Sequence, residues 1–168
     1  MSLSMYQASV PAFLQMLGGL AGVLAKAEAH AAERKIDPAV LLNYRLAPDM
    51  FPLIRQVRIA TDQAKGCCAR LAGVEVPSYA DDETGFAELG ARLATTEEFV
   101  RSFRPEAIDG SEEREITITV GGQPMAFKGQ QYLIHFVLPN FYFHTTAAYA
   151  ILRHCGVPLG KRDYLGRA

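Results

Sequence analysis

Several residue types and patterns that would point to a function class are missing from this chain. Its 168 residues contain no tryptophan and three cysteines, without a CxxC pair or a Cys/His cluster at zinc-binding spacing. Because three cysteines do not form a disulfide framework, we expect a reducing compartment and a cytoplasmic location. The net charge is −1 with acidic and basic residues interspersed, which argues against the basic stripe of a nucleic-acid binder.

Long apolar runs are also missing. No stretch reaches the roughly 20 uninterrupted apolar residues that a membrane-spanning helix needs. Residues 12–25 are apolar, but no basic region precedes them and Gln15 interrupts them, unlike a secretory signal peptide. We therefore predict neither a membrane span nor a cleaved leader.

What is present is a helical pattern. The length fits a single domain, residues 1–168, and 49% of the residues are apolar. A first helix is predicted to start near Ser9, with Pro11 in its first turn. Asp37 and Pro38 start a short helix, and a longer second helix is predicted from an Asp49 cap.

Two further long helices and one strand pair complete the pattern. Thr84 opens a third helix, and a fourth runs from about Gln130 to Cys155 with a kink at Pro139. Residues 115–120 alternate strictly, and two glycines and residues 124–128 follow, which indicates a hairpin. The fold class is therefore all-α, a four-helix bundle with a small β-hairpin between helices three and four.

One histidine lies on the apolar seam of the fourth helix. The seam steps by three and four residues, which places its members on one inward face: Val137, Phe141, His144, Ala148, Ile151 and Cys155. We predict that His144 faces the interior between helices two and four. It is either a hydrogen-bonded core group or a site residue, and the pattern leaves both open.

Two stretches carry a family resemblance. RLAPDMFPLIRQV and LPNFYFHTTAAYAILRHCGVPLGKRDYLG, with PDMFPL, NFYFH and GKRDYLG within them, resemble a bacterial domain-of-unknown-function family in the DinB/YfiT-like superfamily. The resemblance implies a four-helix bundle that is often dimeric. Better-studied relatives hold a divalent metal, commonly nickel or zinc, on three histidines. One comes from the second helix and two, as HxxxH, from the fourth; some relatives are metal-dependent thiol S-transferases.

The ligand pattern carries over only in part. His144 resembles the second histidine of the fourth helix, because Arg153 and Gly156 follow it at matching distances. Its partner position is occupied by Asn140, and the second helix has no histidine. A polar line spaced by sevens, which includes Gln56, is where a replacement could come from. Only His144 matches a metal ligand, so nickel or zinc is implied by the resemblance alone, and no cofactor is predicted.

The leading hypothesis is a DinB-like bundle protein of unknown role, not a classical metal enzyme, with a polar pocket in which a small molecule could bind. The pocket residues predicted are His144, Asn140, Gln56, Asp49 and Tyr149. Two alternatives stay open: a metal-dependent transferase with an atypical ligand set, and a structural or interaction module with a vestigial site. The residues predict no substrate, reaction or catalytic residue.

A homodimer is predicted from the aromatic residues of the fourth helix. More of them are present than one inward stripe can hold: Phe136, Phe141, Tyr142, Phe143 and Tyr149. Aromatic residues outside a core are typical of interfaces.

Overall fold

The computed structural model describes residues 3–166, which are mostly helical with one two-stranded antiparallel sheet. The elements over this range are α1 (Met5–Arg34), α2 (Pro38–Leu42), α3 (Leu53–Ala72), α4 (Phe86–Arg101), α5 (Pro105–Ile108), β1 (Glu115–Val120), β2 (Gln123–Lys128), α6 (Gly129–Gln131), a π-helical segment (Tyr132–Val137), α7 (Leu138–His154) and α8 (Lys161–Tyr164).

Helix α1 begins earlier than predicted. The Ser4 hydroxyl accepts from the Gln7 N–H at 3.3 Å, and the Gln7 side chain accepts from the Ser4 N–H at 3.3 Å, which forms a capping box. The predicted start near Ser9 is wrong because this box lies one turn upstream. Pro11 is therefore inside the helix, where its missing N–H removes one helical hydrogen bond.

Helix α3 begins later than predicted. It starts at Leu53, not at an Asp49 cap. Pro52 disfavours the helical conformation in the residue before it, so Phe51 cannot belong to a first turn. The chain before α3 forms turns, in which the Leu53 N–H donates to the Tyr44 carbonyl at 3.0 Å.

The long helices share one core. Helix α3 packs against α7 and α4, and α1 packs against α4 and α7. Phe13 on α1 meets Phe141 on α7 edge to face, with ring centroids 4.9 Å apart. The predicted seam of α7 is confirmed as buried, except for Cys155 at its end, which is partly exposed.

Helix α1 contains a long apolar stretch. It is long and apolar enough to cross a membrane by length and composition, but half of that apolar window is buried inside the structure. Gly19 lets α8 approach this helix closely, since a Cβ there would lie 2.6 Å from the Tyr164 carbonyl oxygen. The Gln15 side chain also donates to the Leu165 carbonyl at 3.2 Å. These contacts fold residues 160–166 back over α1.

The last long helical stretch is continuous from α6 to α7 but is widened in the middle. The Leu138 N–H donates to the Leu133 carbonyl, five residues earlier. In a regular α-helix the Pro139 ring would collide with the carbonyl of His135, and the wider π-helical turn makes room for it. The irregularity predicted as a kink at Pro139 is therefore a π-helical turn just before it.

The hairpin turn follows its two glycines. Gly121 and Gly122 have φ values of +57° and +81°, and Val120 pairs with Gln123 across them. Positive φ at both central residues is the geometry of a type I′ turn, which suits a two-residue hairpin. Ile116 and Ile118 on β1 are buried, so this face of the strand lies on the helical core.

Candidate functional site

Two successive hydrogen bonds fix the orientation of His144. It is 8% exposed, and its Nδ1 lies 2.7 Å from Gln56 Oε1 on α3. Gln56 Nε2 donates to the Phe51 carbonyl at 3.0 Å. A backbone carbonyl only accepts, so this bond fixes the amide orientation and makes Oε1 the acceptor of an Nδ1 hydrogen. The prediction that His144 faces the interior beside the second long helix is confirmed.

These hydrogen bonds determine which imidazole nitrogen can accept a hydrogen bond from a ligand. Burial lowers the pKa of His144 below its ordinary value, because water no longer stabilises the charged ring. The neutral ring carries its hydrogen on Nδ1, which leaves a lone pair on Nε2. No residue between 3 and 166 hydrogen-bonds to that atom. His144 can therefore accept a hydrogen bond from another molecule.

A cleft of about 510 Å³ lies beside His144. One wall is a face of α3, the opposite wall is the π-helical segment with α7, and the tip of the hairpin closes the third side. Its lining residues are Arg55, Ile59, Asp62, Gln63, Arg70, Ile118, Thr119, Val120, Gly121, Tyr132, Phe136, Asn140 and His144. The cleft combines a few apolar side chains with groups that can donate and accept hydrogen bonds.

The structure brings three of the five predicted site residues together. Asn140 lines the cleft with His144, and its Nδ2 donates to the Phe136 carbonyl at 2.6 Å, which leaves Oδ1 as its free acceptor. Gln56 hydrogen-bonds to His144 but does not itself line the cleft. Asp49 is exposed in the turns before α3 and does not line the cleft.

Tyr149 also lies away from the cleft. Its ring meets Tyr164 edge to face at a centroid distance of 5.6 Å, beside Met16 and Leu20 of α1. It lies five positions after His144 on the same helix, and the resulting rotation turns it towards α1 and α8. In this structure its phenol supports the folded-back tail.

Arg70 is a cleft residue that sequence reasoning missed. Its Nη1 donates to the Tyr132 hydroxyl at 3.0 Å. Burial raises the pKa of that phenol to about 12, so Tyr132 stays neutral. The sequence does contain a sign of this role. Arg70 follows Gln56 and Gln63 at the same seven-residue spacing, on the same polar line of the helix.

A second missed group is an ion network around the buried Arg92 on α4, in which Asp62 and Asp81 reach the surface. Its guanidinium pairs with Asp62 at 2.9 Å, Asp81 at 2.6 Å and Glu83 at 2.8 Å, and donates to the Thr61 hydroxyl at 2.7 Å. The Arg92 side chain is 2% exposed. The network ties the segment between α3 and α4 to both helices.

Cys67 and Cys68 are core residues. Burial raises the pKa of the Cys67 thiol well above its ordinary value and that of Cys68 to about 12. Both thiols therefore stay protonated, and thiolate chemistry has no support in this part of α3.

The donor atoms near His144 do not fit a tight nickel or zinc site. Both amide atoms of Gln56 are already bonded, to His144 and to the Phe51 carbonyl. One imidazole and the Asn140 oxygen remain, a weak donor set for these metals. Within residues 3–166, no group of three or more His, Cys, Asp or Glu side chains could hold a metal ion.

Comparison with known proteins defines the class. The chain is similar to a DinB family member protein from Shewanella denitrificans: the two are 43% identical, the TM-score is 0.86, and the match covers 95% of this chain and 90% of that chain. The fold is thus a DinB-like helical fold, as the sequence resemblance predicted.

The family follows from a second comparison. Residues 5–165 match the DUF1993 family, described as a domain of unknown function, and the chain belongs to that family. No curated protein matches the chain.

Proposed function

We propose that this chain is a DinB-like four-helix bundle that binds a small molecule in the cleft beside His144. The four helices of the bundle are α1, α3, α4 and α7, and the hairpin borders the cleft. The observation that carries the proposal is the bond between His144 Nδ1 and Gln56 Oε1. It presents a neutral imidazole acceptor to a cleft of ligand size.

The ligand is expected to bring a hydrogen-bond donor to this acceptor. A hydroxyl or amine hydrogen can bond to His144 Nε2, and Asn140 Oδ1 offers a second acceptor one helical turn away. Both acceptors open to the cleft, so a ligand that supplies a donor replaces the water there with a hydrogen bond of its own. An apolar molecule of the same shape does not.

Phenol and anisole test this role, because they share a ring and differ in the donor. Phenol should shift the NMR signal of the His144 imidazole with saturation, and anisole should shift it much less. The exposed His135 and His154 serve as internal controls. Equal shifts at all three histidines, or none at His144 with either compound, would contradict the proposed site and favour a vestigial cleft.

We predict that the protein holds no tightly bound transition metal, in contrast to a metal-dependent transferase. The reason is the donor set of one imidazole and one free amide oxygen. Elemental analysis of protein prepared without a histidine tag, dialysed after loading with nickel or zinc, checks this. One equivalent of metal that survives dialysis, and is lost in His144→Ala, would establish the transferase alternative instead.

A further inference from the structure

The charges around the cleft do not balance. Arg55 and Arg70 line it together with one acid, Asp62. Asp62 is already paired, with Lys65 at 2.8 Å and with Arg92 at 2.9 Å. Over the described part of the chain, neither Arg55 nor Arg70 has a carboxylate within 4.0 Å. The cleft therefore carries positive charge that no side chain compensates.

Arg70 is the better placed of the two arginines. It is partly buried, and of its five N–H donors one is bonded, to the Tyr132 hydroxyl. Arg55 instead is exposed and lies over the Phe51 ring at 4.0 Å. A partly buried guanidinium with free donors is a strong attachment point for an anion, because less water competes with the bond.

Gly66 accounts for the position of the Arg70 guanidinium. A Cβ on Gly66 would lie 2.5 Å from Arg70 Nη1, so the guanidinium rests directly against the helix at this glycine. The absence of a side chain at Gly66 lets Arg70 fold back one turn along α3 while it lines the cleft. Tyr132, on the opposite wall, holds it there.

We propose that the ligand of this cleft is an organic anion whose carboxylate or phosphate group binds Arg70. The planar guanidinium matches both groups through paired N–H bonds. This inference rests on the proposed function and names the ligand class of the same site. A helix rises 1.5 Å per residue, so Gly66 and Gln56 are about 15 Å apart along α3. A ligand that reaches both Arg70 and His144 is therefore elongated, and its middle contacts Ile59 and Phe136.

Three short probes separate the anion from the rest of the ligand. Hexanoate carries a carboxylate, hexyl phosphate a phosphate, and hexanamide is the neutral isostere of hexanoate. Titrations are followed through the arginine side-chain Nε–H signals of ¹⁵N-labelled protein. One or both anions should shift the Arg70 signal with saturation, and the anion that binds more tightly identifies the headgroup. Hexanamide should not shift it.

Two variants and one control locate the binding. Arg70→Gln removes the cation, and we expect binding of the anion to weaken about tenfold or more, the usual effect of losing hydrogen bonds to a charged group. Gly66→Ala keeps the charge but displaces the guanidinium, so it should also weaken binding of the anion. The displaced group is the end of a flexible side chain, so the helix should remain folded. Arg114→Gln removes the same charge from an exposed position outside the cleft and should leave binding unchanged.

The outcomes distinguish this inference from the proposed function. Hexanamide binding as tightly as hexanoate, with shifts at His144, would leave a small-molecule cleft and overturn the anion. Undiminished anion binding in Arg70→Gln would also overturn it. No response to any of the three probes would contradict both the anion and the cleft.

Discussion

The imidazole of His144 loses contact with water on folding, and its lowered pKa follows from that loss. The unfolded chain binds a proton near pH 6.5, whereas the folded protein binds it only at lower pH. Between those two values the unfolded state holds more protons, so stability rises with pH. The contribution is present above the unfolded pKa and is lost as the pH falls below about 6.5.

We therefore predict that the free energy of unfolding falls more steeply between pH 7 and pH 5 in the native protein than in His144→Gln, which cannot titrate. Urea denaturation across this range measures the difference. His135→Gln, which removes an exposed histidine, should follow the native protein. Parallel pH profiles for the native protein and His144→Gln would show that the imidazole remains hydrated.

At the scale of elements, the Arg92 network holds the segment of residues 73–85 between α3 and α4. Arg92→Met keeps much of the side-chain volume but leaves Asp62, Asp81 and Glu83 without their common cation. Asp62 and Asp81 are 42% and 52% exposed and return to water, whereas Glu83 is 10% exposed. The loss should therefore be about 1–3 kcal/mol, the cost of hydrogen bonds to a charged group, measured as a lower urea midpoint at an unchanged slope.

Arg101→Met is the matched control on the same helix. Arg101 is 67% exposed and lies 3.8 Å from Glu97, so its loss should change stability by at most about 0.5 kcal/mol. Similar losses in both variants would mean that the network around Arg92 is solvated and contributes little.

The hairpin turn gives a second prediction at this scale. Gly122 has a φ of +81°, and an alanine there should cost about 1 kcal/mol of stability. Gly90 on α4 has no atom within 4 Å of an added Cβ, and Gly90→Ala should raise stability by up to about 1 kcal/mol. Thermal unfolding of the two variants should therefore shift in opposite directions. A stabilised Gly122→Ala would exclude the type I′ turn.

Local patterns account for what the sequence predicted well. The hairpin was predicted almost to its ends because two glycines and a strict alternation are adjacent in the chain. The inward face of His144 was predicted from helical spacing, and Gln56 was predicted as its neighbour from the family resemblance together with its position on the polar line of the second helix. The start of α3 was missed because the effect of Pro52 on Phe51 outweighs the capping preference of Asp49.

Contacts between distant segments account for what was missed. The Arg92 network joins α3, α4 and the segment between them, and no spacing rule anticipates how that segment folds back. The Arg70 guanidinium is placed by Gly66 on its own helix and by Tyr132 across the cleft. Such positions are fixed only once the elements pack.

At the scale of the whole molecule, a homodimer remains our proposal. Phe141 is buried in the core, whereas Phe143 is 56% exposed and Tyr142 38% exposed. Exposed aromatic residues on one helix are typical of contact surfaces. Light scattering at micromolar concentration should give twice the chain mass, and Phe143→Asp should give the monomer with an unchanged helical circular dichroism signal.

Val40→Asp is the control for that prediction. Val40 on α2 is 58% exposed, so the substitution adds the same charge at another exposed apolar position and should leave the dimer intact. Monomeric native protein would contradict the dimer. Dissociation by Val40→Asp but not by Phe143→Asp would move the interface to α2.

The contact between Gly19 and Tyr164 has a consequence for synthesis of the protein. The two partners are separated by almost the whole chain, and ribosomes add about 5–20 residues per second. The surface of α1 around Gly19 is therefore synthesised on the order of ten seconds before the segment that covers it. During that time the apolar stretch of α1 lacks this cover, and exposed apolar surface of this kind promotes aggregation.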